Sequence, residues 1–527
     1  MKEHIHNSIL DKGLNPCTGC GACAIACPLD CIELRENENG FISPFVDNDC
    51  CSHCGGCKES CYMYLDTSSV IPKSSFEGKR VLAVINNYFD QMKTVTSAGV
   101  ASRLASYYLD EGYNVCGAVL DLERNECRHI LASDKEEIRT LKGSKYLQSH
   151  TIKAFIRTIN SDKPAIVFGT PCQIYGLRKE IERRRIEDRF ILVDLFCRGI
   201  PTRHLWTCYK SYIQRHFDLS DFMFVNFRDK SVGWHRFGMR IIDTDGVEYF
   251  QTVYNDLFYF FYLGNLALGP ACYNCKFRHD LSLADIRLGD FWGPKYMNYD
   301  DGVSLVVLLT RKGEEVWNSV EPMLRYEDCI TEDIFESQKI GKIPLSDHYE
   351  ETLSSLRCGD NLEDVFLKHK QFMKQSDTFV YRKNVASENE IYEHLLRCSS
   401  IFEPNLDSYV NIKEYAVKIH RNAERLEVWH KGILIGLLAA YLNNTTSREG
   451  FITDVSIEKA YQGKAIGSEL VRRTLELAKR KGFRSIELEV FKSNTAAMKL
   501  YRKYGFTVAE HAADKLTMKW IANDNEI

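Results

Sequence analysis

Ten of the twenty cysteines in this 527-residue chain lie between Cys17 and Cys61, and their spacing is that of metal ligands. Cys17-Thr-Gly-Cys20-Gly-Ala-Cys23-Ala-Ile-Ala-Cys27-Pro28 and Cys51-Ser-His-Cys54-Gly-Gly-Cys57-Lys-Glu-Ser-Cys61 both read C-x2-C-x2-C-x3-C. Three thiolates on one tight loop reach three irons of a cubane, and the fourth, one helical turn on, reaches the other cluster. This assigns Cys17, Cys20, Cys23 and Cys61 to one [4Fe–4S] cluster, and Cys51, Cys54, Cys57 and Cys27 to a second. Zinc ribbons also use C-x2-C pairs, but zinc takes four ligands per site and has no need of two interleaved sets. Pro28 continues the iron–sulfur pattern, whereas Tyr62 stands where a second proline is expected. Cys31 and Cys50 are left over and read as buried thiols.

This is the spacing of bacterial ferredoxins, so residues 1–75 are expected to form a small α+β electron-transfer domain with two clusters. Length predicts three or four domains, and the fold class is multidomain α/β. Asp66–Lys79 is polar and carries Ser, Pro and Gly, as linkers do. Beyond it, apolar runs at Val81–Ile85, Val115–Leu120, Ala165–Phe168 and Phe190–Phe196 alternate with helical patterns, which predicts an α/β domain over 76–375. Ser133-Asp134-Lys135-Glu136 reads as a capping box. Phe222–Phe227, Gly238–Tyr249 and Val303–Thr310 are read as strands, and Leu345–Gln375 as a closing helix. A net charge of −4 argues against a nucleic-acid partner. Gly432–Leu442 is the longest strongly apolar run and is too short to span a bilayer. With no basic, apolar leader in MKEHIHNSIL, the expected location is the cytoplasm.

Four further cysteines have chemistry to offer in the middle domain. Cys172 and Cys197 each follow a predicted strand, at the end where α/β sheets place their sites, and Cys272-Tyr-Asn-Cys275 is a C-x2-C pair. Together they make a four-thiolate site for a third cluster or for zinc; the bland alternative leaves Cys172 and Cys197 as packed thiols. The stretches Gly143-Ser-Lys-Tyr146, Gly169-Thr-Pro-Cys-Gln173, Phe227-Arg-Asp-Lys230, Cys272–Phe277 and Gly289-Asp-Phe-Trp-Gly293 resemble the coenzyme F420 hydrogenase/dehydrogenase β-subunit family. The resemblance covers roughly residues 1–345. It implies a flavin, FAD or FMN, beside iron–sulfur clusters, with the deazaflavin coenzyme left open. It puts the flavin on Thr96-Ser97-Ala98-Gly99 and near Ser144, Lys145 and Tyr146. A helix N-terminus after Ser97 supplies backbone amides for a pyrophosphate, although a lone Ser-Ala-Gly is also an ordinary cap. Arg198 stands where relatives are read to carry histidine.

A third pattern begins near Ser376. Strands at Thr378–Arg382, Arg425–His430, Ile433–Tyr441, Phe451–Ile457 and Ser485–Phe491 are expected, with helices at Glu388–Arg397, Ile466–Lys481 and Thr495–Tyr504. The turn Gln462-Gly463-Lys464-Ala465-Ile466-Gly467-Ser468 opens a helix after a strand, which suits amides around a pyrophosphate. With Asn494-Thr-Ala-Ala-Met-Lys-Leu-Tyr501 and Gly505-Phe506, residues 376–527 resemble the GNAT acyl-coenzyme A N-acyltransferases, whose mixed-sheet α/β fold is expected here. The resemblance implies acetyl-coenzyme A as cofactor, Asn494 on the pantetheine arm, Tyr501 as the acid for the departing thiolate and Glu489 as the base. Ala465 puts a methyl where the pattern has hydrogen. Glu487 and Glu489 also suit plain solvent-facing positions.

The whole reads as a bifunctional enzyme: clusters feed a flavin domain that oxidises or reduces a small molecule, with a glycan precursor as one candidate, and the fused domain acylates an amine. Reduced ferredoxin or another donor is the expected electron source. Two other readings stand beside it. Residues 1–375 form an electron-transfer subunit docking on a partner oxidoreductase, or the acyltransferase is the sole activity and the remainder senses redox state.

Overall fold

A computed structural model of the chain describes residues 8–9, 17–64, 76–85, 94–253, 256–278, 281–296, 299–338, 340–375, 379–402, 404–430, 433–444, 446–464, 466–512 and 514–522. They fall into two compact units, Met1–Val365 and Phe366–Ile527. The domain break expected at 375/376 lies ten residues beyond this division, and the linker expected at Asp66–Lys79 lies mostly outside the described residues.

In the first unit, hairpin strands Ile32–Glu36 and Ile42–Val46 support two one-turn helices, Ala22–Ile25 and Gly56–Glu59, each within a cysteine run. Gly21 (φ 84) and Gly55 (φ 80) cap them in the left-handed region, a conformation that costs glycine least. Ile25 shares one apolar core with Val167, Ile174 and Leu177, so the cysteine-rich segment is built onto the α/β body. The approach is backbone-close: a Cβ on Gly176 would lie 2.3 Å from the Ala22 Cβ.

The body is a nine-stranded sheet. Its order is Arg325–Cys329, Arg80–Ile85, Ser304–Leu308, Ile286–Asp290, Phe190–Leu195, Ala165–Gly169, Asn114–Asp121, Glu126–Ala132 and Ser149–His150. The central run from Ile286–Asp290 to Asn114–Asp121 is parallel. Separate apolar cores cover its two faces, as a parallel sheet requires. Because Ala165–Gly169 and Phe190–Leu195 are parallel neighbours, the segments leaving their C-terminal ends start side by side. Those segments carry Cys172 and Cys197.

Three sequence expectations change here. Gly238–Tyr249 is part of a hairpin, Gly238–Asp243 with Glu248–Thr252, turned by Asp243, whose carboxylate accepts from the backbone of Asp245 and Val247. Leu345–Gln375 contains two helices, Tyr349–Cys358 and Leu362–Gln375, broken at Gly359 (φ 74). The helix start at Ser133–Glu136 is capped one residue later, by Asp134 accepting from Glu137 N, while the Glu137 carboxylate accepts from Ser133 N.

The second unit is a seven-stranded sheet in the order Val380–Lys383, Glu424–His430, Ile433–Tyr441, Glu449–Ile457, Ser485–Phe491, Lys515–Ile521, Thr507–His511. Helices Glu388–Cys398 and Ile412–Asn422 cover one face, and Ile466–Arg480 with Thr495–Lys503 the other. The helix Ile412–Asn422, capped by Asn411, was not expected from the sequence. The one parallel pair, Glu449–Ile457 with Ser485–Phe491, stays in register only from Glu449↔Ser485 to Ile452↔Leu488. Beyond Ile452 the strands part, next to a bulge that leaves Thr453 without a cross-strand mate. The two strands are therefore split along their C-terminal halves.

Glu424, at the start of its strand, pairs with Lys383 and Lys481 and accepts from Asn384. Burial opposes its charge, but the two lysines outweigh burial and hold the carboxyl down at about 2. A depressed carboxyl stabilises the fold above its unfolded value of 4.5, and that contribution drains away as pH falls towards 2. A fragment spanning 366–527 is expected to unfold cooperatively on its own. In it, Glu424→Gln should cost about 2 kcal/mol at neutral pH, with the difference from wild type vanishing in acid. Urea melts at several pH values check both statements. Equal losses at all pH values would reject the charge pairing.

Candidate functional site

The first cysteine set is one electrostatic neighbourhood. Burial pushes the Cys17 thiol up to about 11 and the Cys20 thiol to about 12, and in both the Cys61 sulfur adds to the effect. Cys23 is pushed well up by burial and by Cys20, Cys17 and Cys61. The fourth member thus comes from the other run. In the second set, burial raises Cys57, with Cys51 and Cys27 adding to it. Cys27, Pro28, Cys51, Cys54 and Cys57 line one open recess. Sulfurs crowded in this way cannot all be thiolates unless a cationic centre neutralises them, which is the donor chemistry of an iron–sulfur cluster. Among the described residues, no three His, Cys, Asp or Glu side chains converge on the position of a single metal ion. Thiolates around four irons stand farther apart than thiolates around one.

The two spare cysteines differ. Cys31 is buried as expected, with its sulfur 3.3 Å from that of Cys27. Cys50 is exposed, its thiol donating to the Leu29 carbonyl, which corrects the expectation that both are buried.

Cys172, Cys197, Cys272 and Cys275 also feel one another. Burial comes first in raising each, and the Cys275 sulfur adds to the rise at Cys172, Cys197 and Cys272. The thiol of Cys197 stands at about 11 and that of Cys272 at about 12. Cys172 additionally feels Cys20 of the first set. Tyr62 lies among Cys172, Cys275, Cys20 and Cys272, with its ring 4.9 Å from Phe277 and 6.4 Å from Tyr175. The residue expected to alter only a turn therefore fills the space between two cysteine sets.

The two loops assigned to the flavin meet. Ser144 N donates to Thr96 Oγ1 at 3.2 Å, and the two hydroxyls lie 3.3 Å apart. Gly99 (φ 80) caps the helix Val100–Asp110, and the buried Ser97 hydroxyl has no hydrogen-bond partner. Lys145, however, donates to the carbonyls of Thr140, Leu141 and Lys142 at 2.7–3.2 Å, closing the helix Lys135–Leu141. All three of its protons are taken by the helix end. Two cations from Phe227-Arg-Asp-Lys230 stand at the loops. Lys230 donates to Ser97 O at 3.0 Å. Arg228 donates to Tyr146 Oη and to Asp290, while its Nε and Nη2 are buried without a partner. Tyr146 lies against Tyr262, which in turn feels Cys197 and Cys272. Arg198 reaches the Leu263 carbonyl and Asn265 Oδ1.

In the second unit, Gln462, Gly463 (φ 79) and Lys464 lie exposed at the head of the helix Ile466–Arg480, and Ser468 is half-buried in its first turn. Ala465 falls outside the described residues. Gly467 is buried, and a Cβ there would meet Ile457 and Leu500 at 3.1 and 3.2 Å, so packing also requires glycine there. Asn494 caps the helix Thr495–Lys503 by accepting from Ala497 N at 3.0 Å. That helix carries Tyr501, a buried phenol kept protonated by burial and by the nearby Asp454 carboxylate. Glu489 does not face it closed off from water: its side chain is 51% exposed and pairs with Lys515 at 3.0 Å. Asp454, on the bulged strand, is the carboxylate the sequence reading missed. Its signal was an acid at a buried position of an apolar strand.

Comparison with known proteins matches residues 162–329 to the C terminus of the beta chain in the coenzyme F420 hydrogenase/dehydrogenase family, and residues 389–506 to the acetyltransferase (GNAT) family. A coenzyme F420-dependent sulfite reductase of Methanocaldococcus jannaschii is 25% identical over 61% of this chain and 48% of its own. A putative [ribosomal protein bS18]-alanine N-acetyltransferase of Bacillus subtilis is 43% identical over 10% of this chain and 36% of its own. The chain spans about half or less of the length of the curated relatives it matches. A chain of the F420-reducing [NiFe] hydrogenase complex of Methanosarcina barkeri superposes with a TM-score of 0.36 at 19% identity, over 57% of this chain and 96% of that one. No helix among the described residues is long and apolar enough to cross a membrane. The chain joins a domain of the coenzyme F420 hydrogenase/dehydrogenase β-subunit family to a GNAT-family acetyltransferase domain.

Proposed function

We propose that the first unit is an iron–sulfur oxidoreductase of F420-linked type, and that the second acetylates a primary amine from acetyl-coenzyme A. One observation carries the redox half: the three cysteine sets lie in file. Cys23 of the first set feels Cys57 of the second, Cys172 feels Cys20, and Tyr262 joins Cys197 and Cys272 to Tyr146 at the orphaned polar atoms of Ser97 and Arg228. Cys17, Cys20, Cys23 and Cys61 would hold one cluster, Cys27, Cys51, Cys54 and Cys57 a second, and Cys172, Cys197, Cys272 and Cys275 a third. Such clusters supply one-electron carriage. Ser97, Gly99, Ser144, Tyr146, Arg228 and Lys230 would hold a flavin-type ring and its anionic tail, either FAD or FMN or the deazaflavin coenzyme, which exchanges electrons as hydride. Arg228, with buried N–H groups unspent, suits the anionic part of that group. The open recess at the second set makes it the entry for electrons from reduced ferredoxin or another donor. The same exposure favours the narrower reading in which this unit docks on a partner oxidoreductase.

In the acetyltransferase half, the exposed amides of Gln462–Lys464 and the helix behind them suit the coenzyme A pyrophosphate. The split sheet admits the pantetheine and acetyl group between its parted strands. Tyr501 keeps its proton for the departing thiolate.

Three outcomes follow. Anaerobically purified protein should contain about 12 irons, and Cys275→Ser about 8. An unchanged iron count in that variant removes the third cluster, and zinc beside about 8 irons replaces it with a structural metal. Arg228→Met should weaken retention of the bound chromophore tenfold or more, the scale of one charge-assisted hydrogen bond, whereas Lys145→Met should lower Tm and leave retention unchanged. Mass analysis of what denaturation releases separates FAD or FMN from the deazaflavin, and a colourless, cluster-loaded protein rejects both. Tyr501→Phe should slow acetyl transfer about 10²-fold with coenzyme A affinity unchanged. Full activity in that variant rejects the acid role alone.

A further inference from the structure

The split in the sheet of the second unit exposes one chemical group that neither the sequence pattern nor the reading above uses. Where Glu449–Ile457 leaves Ser485–Phe491 behind, the first side chain past the bulge is Asp454. It is 3% exposed, and its Oδ1 is buried with no hydrogen-bond partner. An unpaired carboxylate oxygen in such a place costs stability and needs a reason. The groups around it come from every neighbouring element. They are Tyr501 on the helix Thr495–Lys503, Tyr415 on Ile412–Asn422, Tyr441 on Ile433–Tyr441, Cys398 on Glu388–Cys398 and Tyr409 before Ile412. Tyr409 is 46% exposed and lies beside Phe491, so the carboxylate has a buried phenol and a half-exposed one among its neighbours.

The other oxygen of Asp454 belongs to a string. Ser456 Oγ lies 2.7 Å from Asp454 Oδ2 and 2.9 Å from His394 Nε2, and His394 Nδ1 lies 3.0 Å from the Leu434 carbonyl. That carbonyl can only accept, so Nδ1 carries the hydrogen and Nε2 of the neutral ring is an acceptor. Burial holds His394 neutral by lowering it to about 4; Arg397 adds to this, while Glu458 stands 4.0 Å from Nδ1. The single hydroxyl proton of Ser456 can then serve the imidazole or the carboxylate, but not both. With Asp454 ionised, one contact in the string lacks a hydrogen. With Asp454 protonated, Asp454 donates to Ser456 and Ser456 donates to His394, and every contact is made. The string is one proton short until Asp454 takes it.

We propose that the Asp454–Ser456–His394 string is the proton acceptor of the acetyl transfer, with the Asp454 carboxylate taking the proton of the incoming ammonium in place of Glu489. This rests on the acetyltransferase reading above. The ammonium gives one proton to Asp454, and the free amine forms the C–N bond at the thioester carbonyl. The C–S bond then breaks, sulfur takes the Tyr501 proton, and the nitrogen's surplus proton restores that phenol. Asp454 loses its proton to solvent. Burial, opposed by Ser456, sets the carboxyl at about 7, where a base works at neutral pH. Glu489, by contrast, is open to water and paired with Lys515.

The test uses the full chain. Infrared difference spectra across a titration spanning pH 7 should show a buried carboxylic acid band that Asp454→Asn removes. With acetyl-coenzyme A and a short peptide starting with alanine, kcat/KM should rise with pH to a plateau above that midpoint. Asp454→Asn should lose the inflection and about 10²-fold in rate while binding coenzyme A as wild type does, and Glu489→Gln should keep both. A carboxyl band that does not titrate near neutrality, or an inflection that disappears in Glu489→Gln and survives in Asp454→Asn, overturns the proposal. A full chain that binds no coenzyme A by calorimetry overturns the acetyltransferase reading, and the proposal with it. Coenzyme A binding beside an untitrating Asp454 overturns only the proposal.

Discussion

The first unit turns on one buried ion pair. Asp194 closes the strand Phe190–Leu195 and receives two hydrogen bonds from Arg287 on the adjoining strand, at 2.7 and 2.6 Å, with both side chains 1% exposed. The remaining donors of that pair hold the chain that follows Cys275: Arg287 reaches the Leu281 carbonyl, and Ser282 donates to Asp194. Three residues past Asp194 stands Cys197, so one pair anchors the strand end and the return loop that together bring Cys197 and Cys275 within reach. Breaking such a pair from one side strands a charge in the interior, on the order of 3–5 kcal/mol. Arg287 is also a positive charge near both sulfurs, and it lowers their thiols against the pull of burial. The structure thus spends its costliest interior group where several thiols must come to hold charge.

The second unit solves a related problem by omission. A continuous sheet would have paired every backbone group between Ile452 and Ile457 and left no room among them. The bulge at Thr453 ends the pairing, and the Tyr415 hydroxyl donates to the Thr453 carbonyl that the bulge sets free. Polar groups along the split are therefore either satisfied by neighbours, as Thr453 is, or left open, as Asp454 is. Those two adjacent residues differ in that the polar groups of one are met by neighbours and an oxygen of the other is not.

What could be read from the sequence follows how local each constraint is. Three cysteines of each set stand within a few residues of one another and are legible as a motif, whereas the exposure of Cys50 was misjudged. The strand Ala165–Gly169 announces itself as an apolar run, and Ser485–Phe491 as an alternation of apolar residues with Glu487 and Glu489. That Lys145 closes a helix is not legible in the sequence, because a lysine four residues past a helix end looks the same whether it meets a phosphate or the helix carbonyls. Arg228 sat inside a quoted motif, but nothing in Phe-Arg-Asp-Lys says that two of its nitrogens end buried and idle. The helix Ile412–Asn422 was passed over although Ile412, Ala416 and Ile419 stand at helical spacing, and Gly359 broke a helix whose charged pattern runs through the break. Asp454 depends on a bulge, and bulges are set by the sheet, which local spacing does not record.

The close seat of Gly176 on Ala22 has a consequence for rate. The helix with Cys172 in its first turn is held against the helix containing Cys23 with only a hydrogen atom as spacer. Electron tunnelling between carriers falls exponentially with the gap between them, so for any pair of carriers on these two helices the missing side chain sets the speed. A methyl group there would push the two helices apart along their whole contact, and the sheet behind the longer one would resist. A single glycine, far from any reacting atom, thereby fixes how closely the two cysteine-bearing helices approach.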